Sequence, residues 1–379
     1  MHIEKRLRES LDKRIAENTF RSLTLKSGLI DFSSNDYLGF ARSAELKSGI
    51  KKYEAAEINF LNGSTGSRLL TGNSAFAEEL ETFIAAFHYA EAALLFNSGY
   101  NANLGLFSAL GRKGDTIIYD ELIHASVHDG MRLSKAECKS FKHNNTEQLE
   151  LRLKESSGHI FVAVESVYSI NGDFALLKEI AALCGKYNAS LIVDEAHATG
   201  IFGEKGRGRV AELGLEKEVF ARLVTFGKAM GCYGAAVLGS DLLKKYLINF
   251  ARSFIYTTAI PLHTLYTIKN AYEFLNDFYE YDEEVAGLNN LIVFFKNKIK
   301  SAGVINLHES NSPIQSIIIP GNEKVRKVAE QIQEKGFDVR PLVSPTVPAG
   351  QENIRICLHA FNTEKEVVDL VSAIQSALH

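Results

Sequence analysis

Two short apolar runs near the middle of the chain each end in residues able to do chemistry. Leu191-Ile192-Val193 runs into Asp194-Glu195-Ala196-His197, and Leu223-Val224 runs into Thr225-Phe226-Gly227-Lys228. Short β-branched runs bounded by glycine predict buried strands of a parallel sheet. Ligands of such sheets gather beyond the carboxyl ends of the strands. Asp194, His197, Thr225 and Lys228 all fall at or just past such ends. An aspartate there can hold a pyridinium nitrogen protonated. A lysine whose pKa is lowered by desolvation or a neighbouring cation can form a Schiff base with an aldehyde. His197 is spaced to reach a ring hydroxyl. Together these residues describe a pyridoxal phosphate site, against the plainer alternative of an Asp–Lys ion pair. The string DEAH also names a helicase ATPase motif, but that reading needs an upstream GxxxxGK[ST] phosphate loop, and the chain has none.

The elements needed to position these residues form a βαβ pattern. Leu94-Leu95-Phe96 is a predicted strand, after which Asn97-Ser98-Gly99-Tyr100 turns into a helix. A small turn at a helix N-terminus presents free N–H groups and a positive dipole end, which suits a phosphate. Residues 115–119 form the next strand, followed by His124-Ala125-Ser126. His124 and His128 have the i, i+4 spacing of a zinc pair, but the HExxH glutamate and a third ligand are missing, so no metal is expected. Residues 160–164 form a strand, 176–187 the crossover helix to the Asp194 strand, and 235–238 the returning strand. Ser74 is placed to cap the helix after the Gly/Ser-rich loop 62–73. An amphipathic helix is predicted near the N-terminus, with Leu7, Leu11 and Ile15 on one stripe. From about residue 266 long helical patterns take over. In the alternating stretch 353–358, Ile354, Ile356 and Leu358 share one face, so Arg355 points to the other.

DEAHATG, followed about thirty residues later by TFGKAMGCYGAA, resembles the α-oxoamine synthases, which are fold-type I pyridoxal phosphate enzymes. FSSNDYLGF, HAS, ESVYSINGD and PTVPAG are similar to further motifs of that family and occur in the family's order, so the resemblance covers nearly the whole chain. One departure is Asn171, where the family usually has an acid. The resemblance implies Lys228 as the Schiff-base lysine, Asp194 on the pyridine nitrogen, His197 on the ring oxygen and His124 stacked on the ring. It implies Ser98, Gly99 and Tyr100 at the phosphate, with Thr225 and Ser169 also around the cofactor. Thr257 and Thr258 are implied to reach the phosphate of a partner subunit. Asn35 is expected to face the amino-acid substrate, and Arg355, after the Thr346 segment, to bind its carboxylate, a bidentate task suited to guanidinium. Arg21 reads either as a solvated side chain or as an arginine at the mouth of the acyl channel.

The expected architecture is a doubly wound α/β domain with a mostly parallel sheet, joined to a smaller α+β C-terminal lobe. Residues 1–38 are an N-terminal helix and arm, 39–270 the cofactor-binding domain and 271–379 the C-terminal domain. Family members are homodimers with shared sites. A net charge of −4, with both signs spread along the chain, argues against nucleic acid as a partner. The charged N-terminus is no secretory signal, and no apolar run is long enough for a membrane span. The four scattered cysteines read as free thiols of a reducing cytoplasm. The family reaction is a decarboxylative condensation of an amino acid with an acyl thioester. The loop GSTGSRLLTGN is most similar to members that join L-alanine to pimeloyl-CoA or a pimeloyl acyl carrier protein in biotin biosynthesis. A glycine acetyltransferase, another synthase of the family and a pyridoxal phosphate aminotransferase are the alternatives.

Overall fold

The computed structural model describes residues 2–23, 28–56, 61–277 and 280–378. They fall into two compact units. The larger comprises Asn35–Ser169 and Phe174–Val285, and the smaller Met1–Ser34, Ile170–Asp173 and Ala286–His379.

The larger unit is built on a sheet of seven strands. These are Ala92–Phe96 (β1), Thr116–Asp120 (β2), Glu137–Phe141 (β3), Ile160–Glu165 (β4), Ser190–Asp194 (β5), Val219–Thr225 (β6) and Ala235–Gly239 (β7). Their order across the sheet is β1-β7-β6-β5-β4-β2-β3. All pairs are parallel except those of β7, which is antiparallel to both neighbours. Every residue of β1 and of β4 is buried, as expected of strands covered on both faces. The edge strand β3 is polar and buries only Phe141, a composition that discourages pairing with another chain.

Among the helices of this unit, Ala75–Phe87 (α1) is capped by Ser74, whose hydroxyl accepts the Ala77 N–H. Gly99–Leu110 (α2) comes directly after β1 and is capped by Ser98. Ala125–Leu133 (α3) comes after β2, with His124 at its N-cap position. Leu177–Lys186 (α4) is the crossover between β4 and β5. The loop that carries Lys228 stays at the carboxyl edge because β7 reverses there, with Ala235 directly opposite Thr225. Within that loop Gly231 has φ +62°, and a Cβ would lie 2.3 Å from the Ala41 nitrogen, so this reversal requires glycine.

The smaller unit holds a three-stranded antiparallel sheet of Ile314–Ile318 (β8), Arg340–Leu342 (β9) and Asn353–Cys357 (β10), in the order β9-β10-β8. Its helices include Asn322–Glu334 (α5) and Glu364–Leu378 (α6). The N-terminal helix His2–Ala16 buries no residue, and its stripe of Ile3, Leu7, Leu11 and Ile15 is exposed. Among the described residues no helix is long and apolar enough to cross a membrane.

Candidate active site

A cavity of about 250 Å³ opens at the carboxyl ends of β4, β5 and β6. Asp194 and His197 enter it from β5, Thr225 and Lys228 from β6, and Glu165 from β4. Ser98, Gly99 and Tyr100 reach it from the start of α2, and His124 from the start of α3. With the exception of Glu165, all of these are candidates named from sequence. They are spread from residue 98 to residue 228, yet they share one cavity wall.

Asp194 is buried and held on both oxygens. Oδ1 accepts the Ala196 N–H at 2.9 Å, and Oδ2 accepts the Asn103 side-chain amide at 2.8 Å. The same Asn103 nitrogen donates to Ser126 Oγ at 3.0 Å, and Ser126 Oγ lies 2.7 Å from His124 Nδ1. Nδ1 also accepts the Ser126 backbone N–H at 3.2 Å. A backbone N–H can only donate, so His124 Nδ1 is the acceptor and the ring proton sits on Nε2. The His124 pKa is below its ordinary 6.5, chiefly through burial, with Lys228 adding to the effect and Asp194 opposing it.

Lys228 is half-buried, and its Nζ lies 2.7 Å from His197 Nε2. His197 Nδ1 lies 2.7 Å from the Tyr37 hydroxyl, which donates to Asn35 Oδ1 at 3.1 Å. Thr225 donates its hydroxyl to the Ala196 carbonyl at 3.3 Å. A Cβ on Gly99 would lie 2.7 Å from Thr225 Cγ2, so the first turn of α2 approaches β6 as closely as only glycine permits. Its free N–H groups make the natural anion cradle of the cavity. The Tyr100 hydroxyl donates to Asp129.

Sequence alone does not single out Glu165, although its strand ends in an acid as β5 does. In the parallel register Glu165 lies directly beside Asp194. Its Oε2 accepts the Ser169 N–H at 3.0 Å, and among the described residues its buried Oε1 has no partner. Burial, then the neighbouring Asp194, pushes the Glu165 carboxyl from an ordinary 4.5 up to about 8, with Lys228 opposing. The contacts of Asn103, Ser126 and Tyr37 are likewise not given by the sequence, because each meets a partner distant in the chain or a side chain that must first be oriented.

Other candidates lie off the cavity wall. Ser169 is linked to it through its backbone bond to Glu165, and Asn35 through Tyr37 and His197. Thr257 lines a separate small cleft with Arg68 and Asn97, and the Thr258 carbonyl accepts the Asn97 amide at 3.0 Å. The loop 62–73 is tied to this segment by the Ala259 N–H donating to the Gly66 carbonyl and by Ser64 Oγ donating to the Ile260 carbonyl. Arg68 anchors the loop on buried Glu81 at 2.8 Å. Arg21, Thr346 and Arg355 belong to the smaller unit. There Arg21 Nη2 donates to Thr346 Oγ1 at 3.3 Å, and Arg355 sits in β10 opposite Ser316 and Arg340.

The model of the class I and II aminotransferase family matches residues 27–374. The 8-amino-7-oxononanoate synthase of Emericella nidulans is 43% identical over 402 residues, covering 98% of this chain and 95% of that protein. The chain belongs to this family. The solved 8-amino-7-oxononanoate synthase of Francisella tularensis superposes with a TM-score of 0.79 at 29% identity, covering 92% of this chain and 98% of its own. A serine palmitoyltransferase from S. paucimobilis, solved with a bound PLP–myriocin aldimine, superposes with a TM-score of 0.87 at 27% identity, covering 98% and 96%. The fold is thus the fold-type I transferase fold expected from the sequence motifs.

Proposed function

We propose that this chain is an 8-amino-7-oxononanoate synthase. It is a pyridoxal phosphate-dependent acyltransferase that condenses L-alanine with pimeloyl-CoA or a pimeloyl acyl carrier protein. The products are 8-amino-7-oxononanoate, carbon dioxide and the free thiol carrier, in biotin biosynthesis. The observation that carries the reading is one cavity in which a lysine, a carboxylate, two histidines and a helix N-terminus converge. The residues fit the cofactor. The close approach of Gly99 to Thr225 leaves a cradle that a Cβ would fill, and among the described residues the buried Glu165 Oε1 has no partner.

Lys228 would hold the cofactor's aldehyde carbon, Asp194 its ring nitrogen, His197 its ring oxygen and His124 its ring face. Ser98, Gly99, Tyr100 and Thr225 would hold its phosphate, with Ser169 behind Glu165. When bound, the cofactor supplies an electron sink for charge developing at the α-carbon of the amino acid. Asp194 keeps a proton at the ring nitrogen, and its two hydrogen bonds, from Ala196 and Asn103, fix the direction in which it does so. His124 carries its proton on Nε2 and so offers a donor to a substrate carbonyl. Arg355 binds the α-carboxylate, with Asn35 as a further substrate contact. Arg21, already bonded to Thr346, meets the far carboxylate of the pimeloyl chain. Thr257 and Thr258, off the cavity wall of their own chain, serve the phosphate of a partner in a homodimer. In functional terms residues 1–38 are an arm, 39–270 the cofactor domain and 271–379 the C-terminal domain of a cytoplasmic enzyme whose partners are small molecules.

The test is to incubate the cofactor-loaded enzyme with L-alanine and pimeloyl-CoA, and in parallel with glycine and acetyl-CoA, measuring free thiol and aminoketone. Faster turnover of the alanine–pimeloyl pair supports the reading. Faster turnover of the glycine–acetyl pair makes the chain a glycine acetyltransferase. Amino transfer to a keto acid without thiol release makes it an aminotransferase.

A further inference from the structure

The lining of the cavity differs in exposure, and the difference marks a floor and a mouth. Asn103, Ser126, Glu165, Asp194, His197 and Thr225 are buried. On the same lining Tyr100, His124, Gly227 and Tyr233 are exposed, Tyr233 at 57% and Tyr100 at 44%. A molecule that enters after the cofactor must pass these rim residues, since the floor is closed to solvent. Tyr100 and His124 are already assigned to the cofactor, and Gly227 has no side chain. Tyr233 is the rim side chain that has no task.

The backbone fixes where Tyr233 stands. It shares one loop with Lys228, closed by the Gly231 N–H on the Lys228 carbonyl at 2.8 Å, the Cys232 N–H on the Phe226 carbonyl at 2.7 Å and the Phe226 N–H on the Gly234 carbonyl at 2.9 Å. Both chain neighbours are tied inward. Cys232 donates its thiol to the Met230 carbonyl at 3.0 Å, and a Cβ on Gly234, which has φ +115°, would lie 3.3 Å from the Phe96 carbonyl oxygen. Ala235 then pairs with Phe96 of β1 on one side and Thr225 of β6 on the other. Tyr233 is therefore carried just beyond the ends of β1 and β6, between the turn that starts α2 and the loop of Lys228. Apart from buried Leu223, the rings of Tyr100 and Tyr233 are the large apolar surfaces among the described lining residues.

We propose that Tyr233 is a specificity-determining residue for the acyl thioester, offering its ring face to the methylene chain as that chain enters beside Lys228. The inference deepens the condensation reading and rests on it. An aromatic ring with a polar tip suits a rim, where one side meets an apolar chain and the other meets water. A chain of several methylenes gains from such a surface and an acetyl group does not, so Tyr233 discriminates by chain length. The task needs the ring and not the hydroxyl, which makes Tyr233→Phe the conservative variant.

The experiment is calorimetric titration of the cofactor-loaded enzyme with pimeloyl-CoA and, separately, with acetyl-CoA, both without amino acid. The carrier is common to the two, so the ratio of their Kd values isolates the acyl chain. Tyr233→Ala should weaken pimeloyl-CoA about tenfold and leave acetyl-CoA as it was. Tyr233→Phe should keep the ratio of the unmodified enzyme. The KM for pimeloyl-CoA in condensation with L-alanine should rise with the Kd in Tyr233→Ala, while dialysis should show pyridoxal phosphate held as before. An unchanged ratio, or an equal loss for both thioesters, overturns the proposal. So does a loss of cofactor or a change in sedimentation without a change in ratio, which would make Tyr233 a cofactor or subunit contact. If the unmodified enzyme neither binds pimeloyl-CoA nor condenses it with L-alanine, the condensation reading fails and the proposal falls with it. If the unmodified enzyme does both and the ratio stays fixed in Tyr233→Ala, the proposal alone falls.

Discussion

Glu165→Gln tests whether burial, with Asp194 alongside, makes Glu165 a neutral acid. The folded protein holds this carboxyl at about 8, against 4.5 for an ordinary glutamate. A raised carboxyl pKa means that the folded state retains a proton that the unfolded chain releases. Below the ordinary value both states are protonated and folding loses nothing. As pH rises above it the unfolded chain gains from ionising, so stability falls until pH passes the folded value. From the two pKa values this loss is on the order of 2 kcal/mol between pH 6 and pH 8, within a total of about 5 kcal/mol. A glutamine keeps an acceptor for the Ser169 N–H and has no charge to lose. The assay is urea denaturation of the cofactor-free protein at both pH values and one protein concentration. The variant should be the more stable at pH 8, and its advantage should shrink at pH 6. Parallel pH dependences in the two proteins would refute the claim that Glu165 is neutral beside Asp194.

The cavity carries further expected outcomes. Borohydride treatment of the cofactor-loaded protein should bleach its visible band and leave the label on Lys228; peptide mapping to another lysine would undo the assignment. Asp194→Asn should still bind the cofactor but lose turnover, because an amide cannot keep the ring nitrogen protonated; near-normal turnover would be the contrary result. The same variant should lower the Glu165 pKa, since the Asp194 charge is one of the causes that raise it, and the pH dependence of stability should flatten accordingly. Gly99→Ala puts a methyl group 2.7 Å from Thr225 Cγ2 and should weaken cofactor binding. Thr225→Ser, which removes that carbon, should restore part of the loss in the double variant; equilibrium dialysis with pyridoxal phosphate measures both.

Much of this protein is legible locally. Asp194, His197, Thr225 and Lys228 stand out because apolar runs with glycine punctuation mark strand ends, and strand ends in such sheets face ligands. Ser98-Gly99-Tyr100 stands out because a small capping residue before a helix is a local signal, and Ser98 does accept the Asn101 N–H. The order of elements is legible for the same reason, down to Arg355 on the half-exposed side of an otherwise buried strand. The loop anchor at Arg68 carries no such signal, since Glu81 gives no local sign that it will be buried.

What only tertiary structure decides is which distant atoms meet. Glu165 and Asp194 are neighbours because the crossover through α4 brings β4 and β5 together in a register that aligns their last residues. Shifted by one residue, the two acids would face opposite sides of the sheet. Tyr37 and His197 are 160 residues apart, and Asn103 and Asp194 are 91 apart, yet each pair is joined by a hydrogen bond. Packing likewise joins Ser169 to Glu165 and Asn35 to Tyr37. Residue type and spacing determine which groups are available at a strand end or a helix start. The protonation of Glu165 and the tautomer of His124 depend on burial and on hydrogen-bond direction, and both arise only when the chain packs around them.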